Sequence, residues 1–350
     1  MKSNDESVGR SIRIGQRKVL TLSPELLLQK GRFSTGQKLP LVIQPTQDGV
    51  DLCAWIANYG RSLQDELYRH GAILFRGFSL FTANDFHKFV QVAAREPLAY
   101  KERSSPRTEI DKNIYTSTDY PADQSIFPHN ENSYAVSFPS KLFFWCEHPA
   151  DEGGETPLVD TRNVYQLVAP PIRFKFEEKG WMLVRNFTGR FGLSWQKAFQ
   201  TEDRASVEEY CLRSDIQWEW LSEDRLRTRQ VRPAVGIHPV TKEKVWFNHA
   251  AFFHVTTINA SLRTKLCAEY AEEDLPNNTY YGDGSPIPDG VVEALRQAYM
   301  KEMVLFPWQA GDTIVVDNML TAHARRPFKG RRRILFAMSE PLSWPEIESA

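Results

Sequence analysis

Residues 313–338 decide the fold class, and they read TIVVDNMLTAHARRPFKGRRRILFAM. The runs 313–316 and 333–338 are short and mostly apolar, and polar or turn-forming residues bound them, which is typical of strands. His323 lies between the two runs, seven residues after the end of the first. The stretch therefore predicts two strands joined through a segment that carries one histidine.

Similar short runs recur upstream of this stretch. From about residue 126 onward Gly, Pro and Asp separate them, and they predict strands at 141–147, 156–160, 181–187 and 245–248. Many short strands in succession favour a sandwich or a barrel. We therefore predict a mainly β fold that carries helices.

The other segments are predicted to be helical or to precede the folded domain. A helix fits residues 52–68, a strand fits 72–75, and a second helix begins at Thr82, whose hydroxyl can accept a hydrogen bond from the amide near Asp85. Helical windows at 194–199, 205–212 and 260–270 predict a helical insertion at about 194–275. We expect residues 1–40 to form an N-terminal lead-in and residues 41–350 to form a single domain.

Composition and charge exclude several classes of protein. The chain has 350 residues, of which 41% are hydrophobic and 25% charged, as in folded globular proteins. Its 43 Lys and Arg against 44 Asp and Glu leave no basic excess for phosphates, so nucleic acid is not an expected partner. The apolar run 142–146 is far shorter than the ~20 residues that cross a bilayer.

Location and redox state are predicted from the N-terminus and the cysteines. Residues 1–17 lack the apolar core of ~7–15 residues that a secretion signal has, so we expect a cytoplasmic protein. The four cysteines lie far apart without a Cys-x-x-Cys pair, which favours buried thiols over disulfides or zinc ligands. We expect a small-molecule partner, and the sequence predicts no oligomeric state.

The first candidate site is the His129-x-Glu131 pair. On an extended segment, side chains two residues apart point to the same side, so both can reach one ion. Imidazole nitrogen and carboxylate oxygen together suit Fe(II). With 8 His and 44 acidic residues, about one such pair is expected by chance, so an exposed loop pair is the alternative.

His323 and the Gly153-Gly154-Glu155-Thr156 segment extend this candidate. Two histidines and one glutamate from separate strands can form a facial triad that leaves three positions open for ligands and O2. A structural histidine is the alternative for His323 alone. The paired glycines permit a tight turn before a strand and would place Thr156 at its start, although a turn needs no function.

Together these segments resemble the taurine dioxygenase (TauD/TfdA) superfamily of Fe(II)- and 2-oxoglutarate-dependent oxygenases. That superfamily includes clavaminate synthase and the amino-acid hydroxylases of peptide-antibiotic pathways. The resemblance covers most of residues 70–340 and rests on the order and spacing of segments 71–78, 128–134, 153–160, 245–248 and 323–338. It implies a double-stranded β-helix, or jelly-roll, core with iron, 2-oxoglutarate and O2 as cofactor and cosubstrates.

The resemblance also implies roles for individual residues. His129, Glu131 and His323 would ligate iron, with Glu131 in a place that is Asp in taurine dioxygenase. Thr156 and Arg333 would hold 2-oxoglutarate, because Arg332-Arg333-Ile334 matches the family's Arg-Arg-Ile. Arg333 is one residue closer to His323 than in taurine dioxygenase, and a one-residue slip on a strand turns a side chain to the opposite face. Arg332 is therefore the fallback.

The implied reaction is hydroxylation of an unactivated C–H bond, coupled to oxidation of 2-oxoglutarate to succinate and CO2. Desaturation, epoxidation or cyclisation by the same oxidant are alternatives that sequence does not separate. Halogenation is disfavoured because Glu131 is present. From other classes, a metal-dependent hydrolase or isomerase would not need Thr156 and Arg333, and a non-catalytic jelly-roll binding module would not need three ligands.

For the substrate, the resemblance implies an amino acid or an amino-acid-derived molecule, free or tethered to a carrier protein. In taurine dioxygenase an arginine four residues past the 2-oxoglutarate arginine binds the sulfonate, and here that position, counted from Arg333, is Ala337. Further polar contacts near the iron are expected among Asn132, Tyr134, Arg76 and Arg325.

Overall fold

The computed structural model describes residues 24–33, 36–94, 102, 107–111, 113–117, 120–188, 192–258 and 260–348. Most of the predicted lead-in, residues 1–23, lies outside these residues. The described part of the lead-in includes a strand, Leu28–Gly31, that joins the main sheet. The sheet therefore begins before residue 41.

The described strands follow one another along the whole chain. They are β1 (Leu28–Gly31), β2 (Leu41–Pro45), β3 (Ala72–Phe75), β4 (Glu109–Asp111), β5 (Ile114–Thr116), β6 (Ile126–His129), β7 (Ser137–His148), β8 (Glu152–Gly153), β9 (Leu158–Asp160), β10 (Trp181–Phe187), β11 (Gln217–Trp220), β12 (Leu226–Arg232), β13 (Val235–Ile237), β14 (Lys244–Trp246), β15 (Asn277–Tyr281), β16 (Met303–Val304), β17 (Thr313–Asp317), β18 (Thr321–Arg325), β19 (Phe328–Lys329) and β20 (Arg333–Ser343).

The described α-helices lie mainly before the first long strand and between the later ones. They are α1 (Leu52–His70), α2 (Ala83–Ala93), α3 (Thr161–Leu167), α4 (Pro170–Lys179), α5 (Trp195–Phe199), α6 (Arg204–Arg213), α7 (Ala250–Phe253), α8 (Ala260–Glu269), α9 (Asp289–Glu302) and α10 (Trp344–Glu348). Short 3-10 helices occur at Pro24–Leu27, Val255–Thr257 and Glu272–Asp274.

The main sheet has eight strands in the order β1-β2-β3-β17-β7-β20-β5-β4. Its longest pairing is the antiparallel one between β7 and β20. Because strand side chains alternate between faces, Phe336 packs in one hydrophobic cluster while Leu335 and Ala337 pack in another. The sheet is therefore buried on both faces.

A smaller sheet, β16-β9-β18-β6, covers one face of the main sheet. Leu158 of β9 belongs to the same cluster as Phe144 and Phe336 of the main sheet, so apolar residues fill the space between the two layers. Two layers of mostly antiparallel strands form the predicted sandwich. We call the face of each sheet that points into this space its inner face.

Helices α1 and α2 cover the other face of the main sheet. Helix α1 ends at Gly71, whose φ of 77° favours glycine and where a Cβ would lie 2.3 Å from Oγ1 of Thr321. Helix α2 begins with a capping box in which the Thr82 hydroxyl accepts from the Asp85 amide. The predicted helix start at Thr82 is confirmed.

The segment 194–275 is only partly helical. Helices α5, α6 and α8 confirm the three predicted helical windows. However, the segment also contains β11 and β12, which join β10 and β15 in a second four-stranded sheet. The prediction of a helical insertion is therefore corrected to a mixed one.

Cysteines Cys53, Cys146 and Cys211 are free thiols, and the first is only half-buried. The side chain of Cys267 lies outside the described residues. Among the described helices none is both long and apolar enough to cross a membrane.

Candidate active site

The two candidate histidines lie on neighbouring strands of the small sheet. His129 ends β6 and is directly opposite His323 of β18, and their ring centroids are 4.4 Å apart. On its other side His323 is opposite Leu158. Directly opposite residues share a face, and Leu158 faces the space between the sheets, so both imidazoles face it too.

Glu131 reaches the histidines from a turn. Strand β6 ends at His129, and the following turn contains Asn132 in the left-handed region with φ of 56°. Oε2 of Glu131 lies 3.8 Å from Nε2 of His323. The expected proximity of the His129 and Glu131 side chains thus arises from the turn after the strand, not from alternation along an extended segment.

Asn318 holds the backbone of Glu131 in place. Its side-chain oxygen accepts from the Glu131 amide at 2.7 Å, and its side-chain nitrogen donates to the Glu131 carbonyl at 2.9 Å and to the Pro139 carbonyl at 2.8 Å. In return Asn130 donates to the Asn318 carbonyl at 2.6 Å. Because β17 leads directly into Asn318 and β18 carries His323, this contact ties the segment of Glu131 to that of His323.

The two imidazoles are prepared for ligation. Nδ1 of His129 is 2.9 Å from the Phe127 carbonyl, which can only accept, so Nδ1 carries the proton and Nε2 keeps its lone pair. Burial lowers the pKa of His129, although Glu131 opposes the shift. Burial, assisted by His129 and Arg107, lowers the pKa of His323 well below its usual value. Both rings are therefore neutral at physiological pH, as ligands must be.

The three side chains fit a divalent metal ion. One ligand atom from each of His129, Glu131 and His323 lies within 4.8 Å of the others, and all three groups are largely buried. Two neutral imidazoles and one carboxylate whose ligand atoms lie this close together are the donor set that non-haem Fe(II) prefers. The structure thus brings together all three residues of the predicted triad.

Thr156 and Arg332 form a second cluster on the same inner surface. Thr156 is two residues before Leu158 and so shares its face of the small sheet. Arg332 donates to the Gly154 carbonyl at 2.8 Å, and its other nitrogens lie 3.3 Å from Oγ1 of Thr156 and 3.3 Å from Oγ of Ser117. Burial lowers the pKa of Arg332 to about 10.

Trp308 and Gly154 shape this second cluster. Nε1 of Trp308 donates to Oγ1 of Thr156 at 3.0 Å. Because this oxygen already accepts from Trp308 and Arg332, its own proton remains available to an acceptor. Gly154 has φ of 72°, and a Cβ there would lie 3.0 Å from Cδ of Arg332. The glycine therefore lets the arginine stem pass close to the turn.

The structure does not bring Arg333 to this cluster. Its Nε pairs with Oε2 of Glu147 at 2.9 Å, and 38% of its side chain is exposed. The pairing of β20 with β7 is irregular between Arg333 and Ile334. Since Ile334 and Phe336 face inward, strand alternation also turns Arg332 inward and Arg333 outward. The structure therefore places Arg332, the predicted fallback, beside Thr156, and it places Arg333 beside Glu147.

The other predicted polar contacts have different partners. Arg76 pairs with Asp312 at 2.7 Å, and Arg325 donates to the carbonyls of Tyr120, Pro121 and Gln124. Tyr134 donates to the Glu102 carbonyl at 2.8 Å and lies 3.2 Å from Oδ1 of Asn132. The partners named here are Asp312, Asn132 and backbone carbonyls, and none of them is a triad side chain.

Comparison with known proteins identifies the family of this chain. The family model described as Taurine catabolism dioxygenase TauD, TfdA family matches residues 36–338. The chain belongs to the TauD/TfdA family. It is therefore a non-haem iron dioxygenase, and the resemblance seen in the sequence is confirmed.

Two proteins of similar sequence support the assignment to this family. Dapdiamide synthesis protein DdaC of Enterobacter agglomerans is 41% identical over 286 residues, which cover 82% of this chain and 87% of the relative. A clavaminate synthase-like protein of Arabidopsis thaliana is 31% identical over 290 residues, which cover 79% and 83%.

Solved structures share the fold. PvcB, an Fe, alpha-ketoglutarate dependent oxygenase from an isonitrile synthetic pathway, matches with a TM-score of 0.53 at 15% identity and covers 91% of this chain and 94% of PvcB. A taurine dioxygenase from Burkholderia xenovorans matches with a TM-score of 0.50 at 15% identity and covers 91% of each chain. The jelly-roll prediction is confirmed.

We expect Asn318→Ala to weaken metal binding by about 10–100-fold, the usual cost of losing a group that orients a metal ligand. The variant loses both hydrogen bonds to the Glu131 backbone. Isothermal titration with Co(II) would measure the change. Asn186→Ala is the matched control, because Asn186 is another buried asparagine that donates to backbone carbonyls, those of Glu273 and Leu275. Equal metal affinity in the two variants would contradict the role of Asn318.

Proposed function

We propose that this TauD/TfdA-family dioxygenase oxidises an unactivated C–H bond of an amino acid or an amino-acid-derived small molecule in a biosynthetic pathway. Its metal ligands would be His129, Glu131 and His323, and its cosubstrate would be 2-oxoglutarate. The cytoplasmic location stays a prediction.

The observation that carries the cosubstrate assignment is the largely buried charge of Arg332. Its described hydrogen-bond partners are neutral oxygens, and within the described residues no carboxylate lies within 4.0 Å of it. A buried guanidinium is costly without an anion, and its planar fork fits a carboxylate well. The C5 carboxylate of 2-oxoglutarate would provide that anion, with the Thr156 hydroxyl as a further donor.

Three groups of residues would have separate roles in the proposed reaction. Bound iron with 2-oxoglutarate supplies the oxidising chemistry by activating O2 and releasing succinate and CO2. The triad of His129, Glu131 and His323 would occupy one side of the ion and leave the other side to the ligands. Arg332 and Thr156 would orient the cosubstrate, and the apolar inner face around Phe144 and Phe336 would keep water away from the reacting groups.

The substrate class rests on sequence similarity and on a missing arginine. The name of DdaC, at 41% identity, assigns that protein to dapdiamide synthesis, which favours an amino-acid-related substrate for this chain. Counted from Arg332, the position of the sulfonate-binding arginine of taurine dioxygenase is Phe336, and counted from Arg333 it is Ala337. Neither side chain can pair with a sulfonate, so taurine is disfavoured.

A substrate panel tests the proposal. Taurine, other sulfonates, free amino acids and carrier-bound aminoacyl thioesters would be incubated with Fe(II), 2-oxoglutarate and O2, and succinate and product mass would be measured. We expect an amino-acid-type substrate to give one succinate per product and a mass gain of 16 for hydroxylation or epoxidation, or a loss of 2 for desaturation or cyclisation. Turnover of taurine with no amino-acid-type substrate accepted would refute the substrate class.

We expect Thr156→Val to weaken 2-oxoglutarate binding by about 1.5–3 kcal/mol, the value of a hydrogen bond to a charged group. Valine keeps the shape of threonine but removes the donor. The apparent 2-oxoglutarate affinity in the succinate assay is the measurement, and Thr156→Ser, which keeps the hydroxyl, is the control. If valine and serine gave the same affinity, the hydroxyl would have no role in binding.

A further inference from the structure

Arg107 contacts the metal triad although neither the sequence analysis nor the family assignment gives it a role. It lies just before β4, at the edge of the main sheet, and only 3% of its side chain is exposed. One terminal guanidinium nitrogen donates to Oε2 of Glu131 at 2.8 Å. The same Oε2 is the atom 3.8 Å from Nε2 of His323.

Aromatic rings hold the guanidinium in this position. Its central carbon lies 4.0 Å from the centroid of the Phe336 ring, a distance at which a cation is attracted to the ring face. The Phe336 ring is 4.9 Å from Phe144, whose ring is 5.0 Å from His323. Arg107 and His323 are thus packed against one continuous aromatic surface.

We infer that Arg107 is a positioning residue that fixes the carboxylate of Glu131 for metal binding through one oxygen. A glutamate has one more rotatable bond than an aspartate, so its carboxylate loses more freedom when it is held in one orientation. The hydrogen bond from Arg107 supplies that restraint. The guanidinium uses one lone pair of Oε2 and restrains the orientation of the carboxylate, which favours binding through one oxygen.

One-oxygen binding matters because positions on the ion are few. This step rests on the proposed function, in which the ion would bind 2-oxoglutarate and activate O2 beside two histidines and Glu131. A Glu131 that bound the ion through both oxygens would leave less room for them. The positive charge of Arg107 also offsets part of the negative charge that Glu131 and 2-oxoglutarate bring into a buried site.

Measurements of metal binding, which do not require turnover, test the inference. Co(II) would be titrated into the wild type, Arg107→Gln, Arg107→Lys and Arg76→Gln, with calorimetry for affinity and visible absorption for coordination. Arg76 is the matched control because it forms another buried pair with a carboxylate, Asp312, outside the triad. We expect Arg107→Gln to weaken Co(II) binding by about 10–100-fold and to alter the spectrum. Arg76→Gln should leave the Co(II) affinity within twofold of the wild type and the visible spectrum unchanged.

A double-mutant cycle separates positioning from a general structural role. In a Glu131→Ala background, Arg107→Gln should weaken Co(II) binding by less than twofold, because the carboxylate that it positions is gone. Equal effects of Arg107→Gln in both backgrounds, or unchanged Co(II) affinity in the single variant, would overturn the inference.

Arg107→Lys tests the inference even if Arg107→Gln folds poorly. Arg107→Lys keeps the charge but loses the planar fork, and we expect it to weaken Co(II) binding at least threefold with an unchanged melting temperature. Wild-type affinity in Arg107→Lys would then overturn the inference. A wild type that binds neither Co(II) nor Fe(II) would instead refute the proposed function.

Discussion

Replacing His129, Glu131 or His323 with alanine is expected to reduce turnover to background while the fold remains intact. Each residue would supply one of three ligand atoms that lie within 4.8 Å of one another, so two remaining ligands would hold the ion poorly. Succinate formation with the best substrate of the panel is the first measurement. The second is the weak visible charge-transfer band that we expect when Fe(II) and 2-oxoglutarate are added to the wild type without O2.

His70→Ala is the matched control for the histidine variants. His70 is also buried at the end of α1, and its described partners, the Lys38 carbonyl at 2.7 Å and Glu66, are outside the triad. We expect this variant to keep the charge-transfer band and turnover within a few-fold of the wild type. Full activity in Glu131→Ala would show that the triad assignment is wrong.

The candidate triad could be predicted because its residues are chemically distinctive and their order is preserved in a family. The local geometry could not be predicted as easily. The sequence predicts an extended segment at Glu131, whereas the structure places this residue in a turn held by Asn318, which is 187 residues away along the chain. A contact over such a distance leaves no periodic signal near either residue.

The comparison of Arg332 with Arg333 shows how strand alternation can distinguish two neighbouring residues of one motif. The family spacing favoured Arg333, but residues of β20 with even numbers, such as Phe336, face the space between the sheets. Arg332 shares their face and Arg333 does not. The apolar pattern of 333–338 alone did not reveal which face was inner, because the main sheet is buried on both faces.

Strands β11 and β12 within 194–275 were missed for a related reason. The sequence of β12, LRTRQVR, has no alternation of apolar and polar residues. Arg227 and Arg232 are nevertheless buried, since Arg227 pairs with Asp274 at 2.6 Å and Arg232 donates to the carbonyls of Tyr134 and Ser214. A strand with buried arginines therefore resembles an exposed segment in the sequence, because the partners of those arginines lie far away along the chain.

Arg332→Ala is expected to weaken 2-oxoglutarate binding by about 30-fold or more, because removing one partner of a buried charge pair costs ~2–5 kcal/mol. Its guanidinium is buried and lies beside Thr156. The adjacent Arg333→Ala is the matched control, since it removes the same charge one residue away. Its contact with Glu147 is partly exposed, and such pairs contribute only ~0–1 kcal/mol to stability.

The two variants would be compared by the 2-oxoglutarate concentration that gives half-maximal succinate formation and by the charge-transfer band during anaerobic titration. Loss in Arg332→Ala with an unchanged Arg333→Ala would support the face assignment, because both variants lose one positive charge and differ only in the side of β20 from which it is lost. The reverse result would mean that the strand turns Arg333 inward when 2-oxoglutarate binds. The original reading of the Arg-Arg-Ile motif would then be right, and the contact of Arg332 with Thr156 would be a structural one.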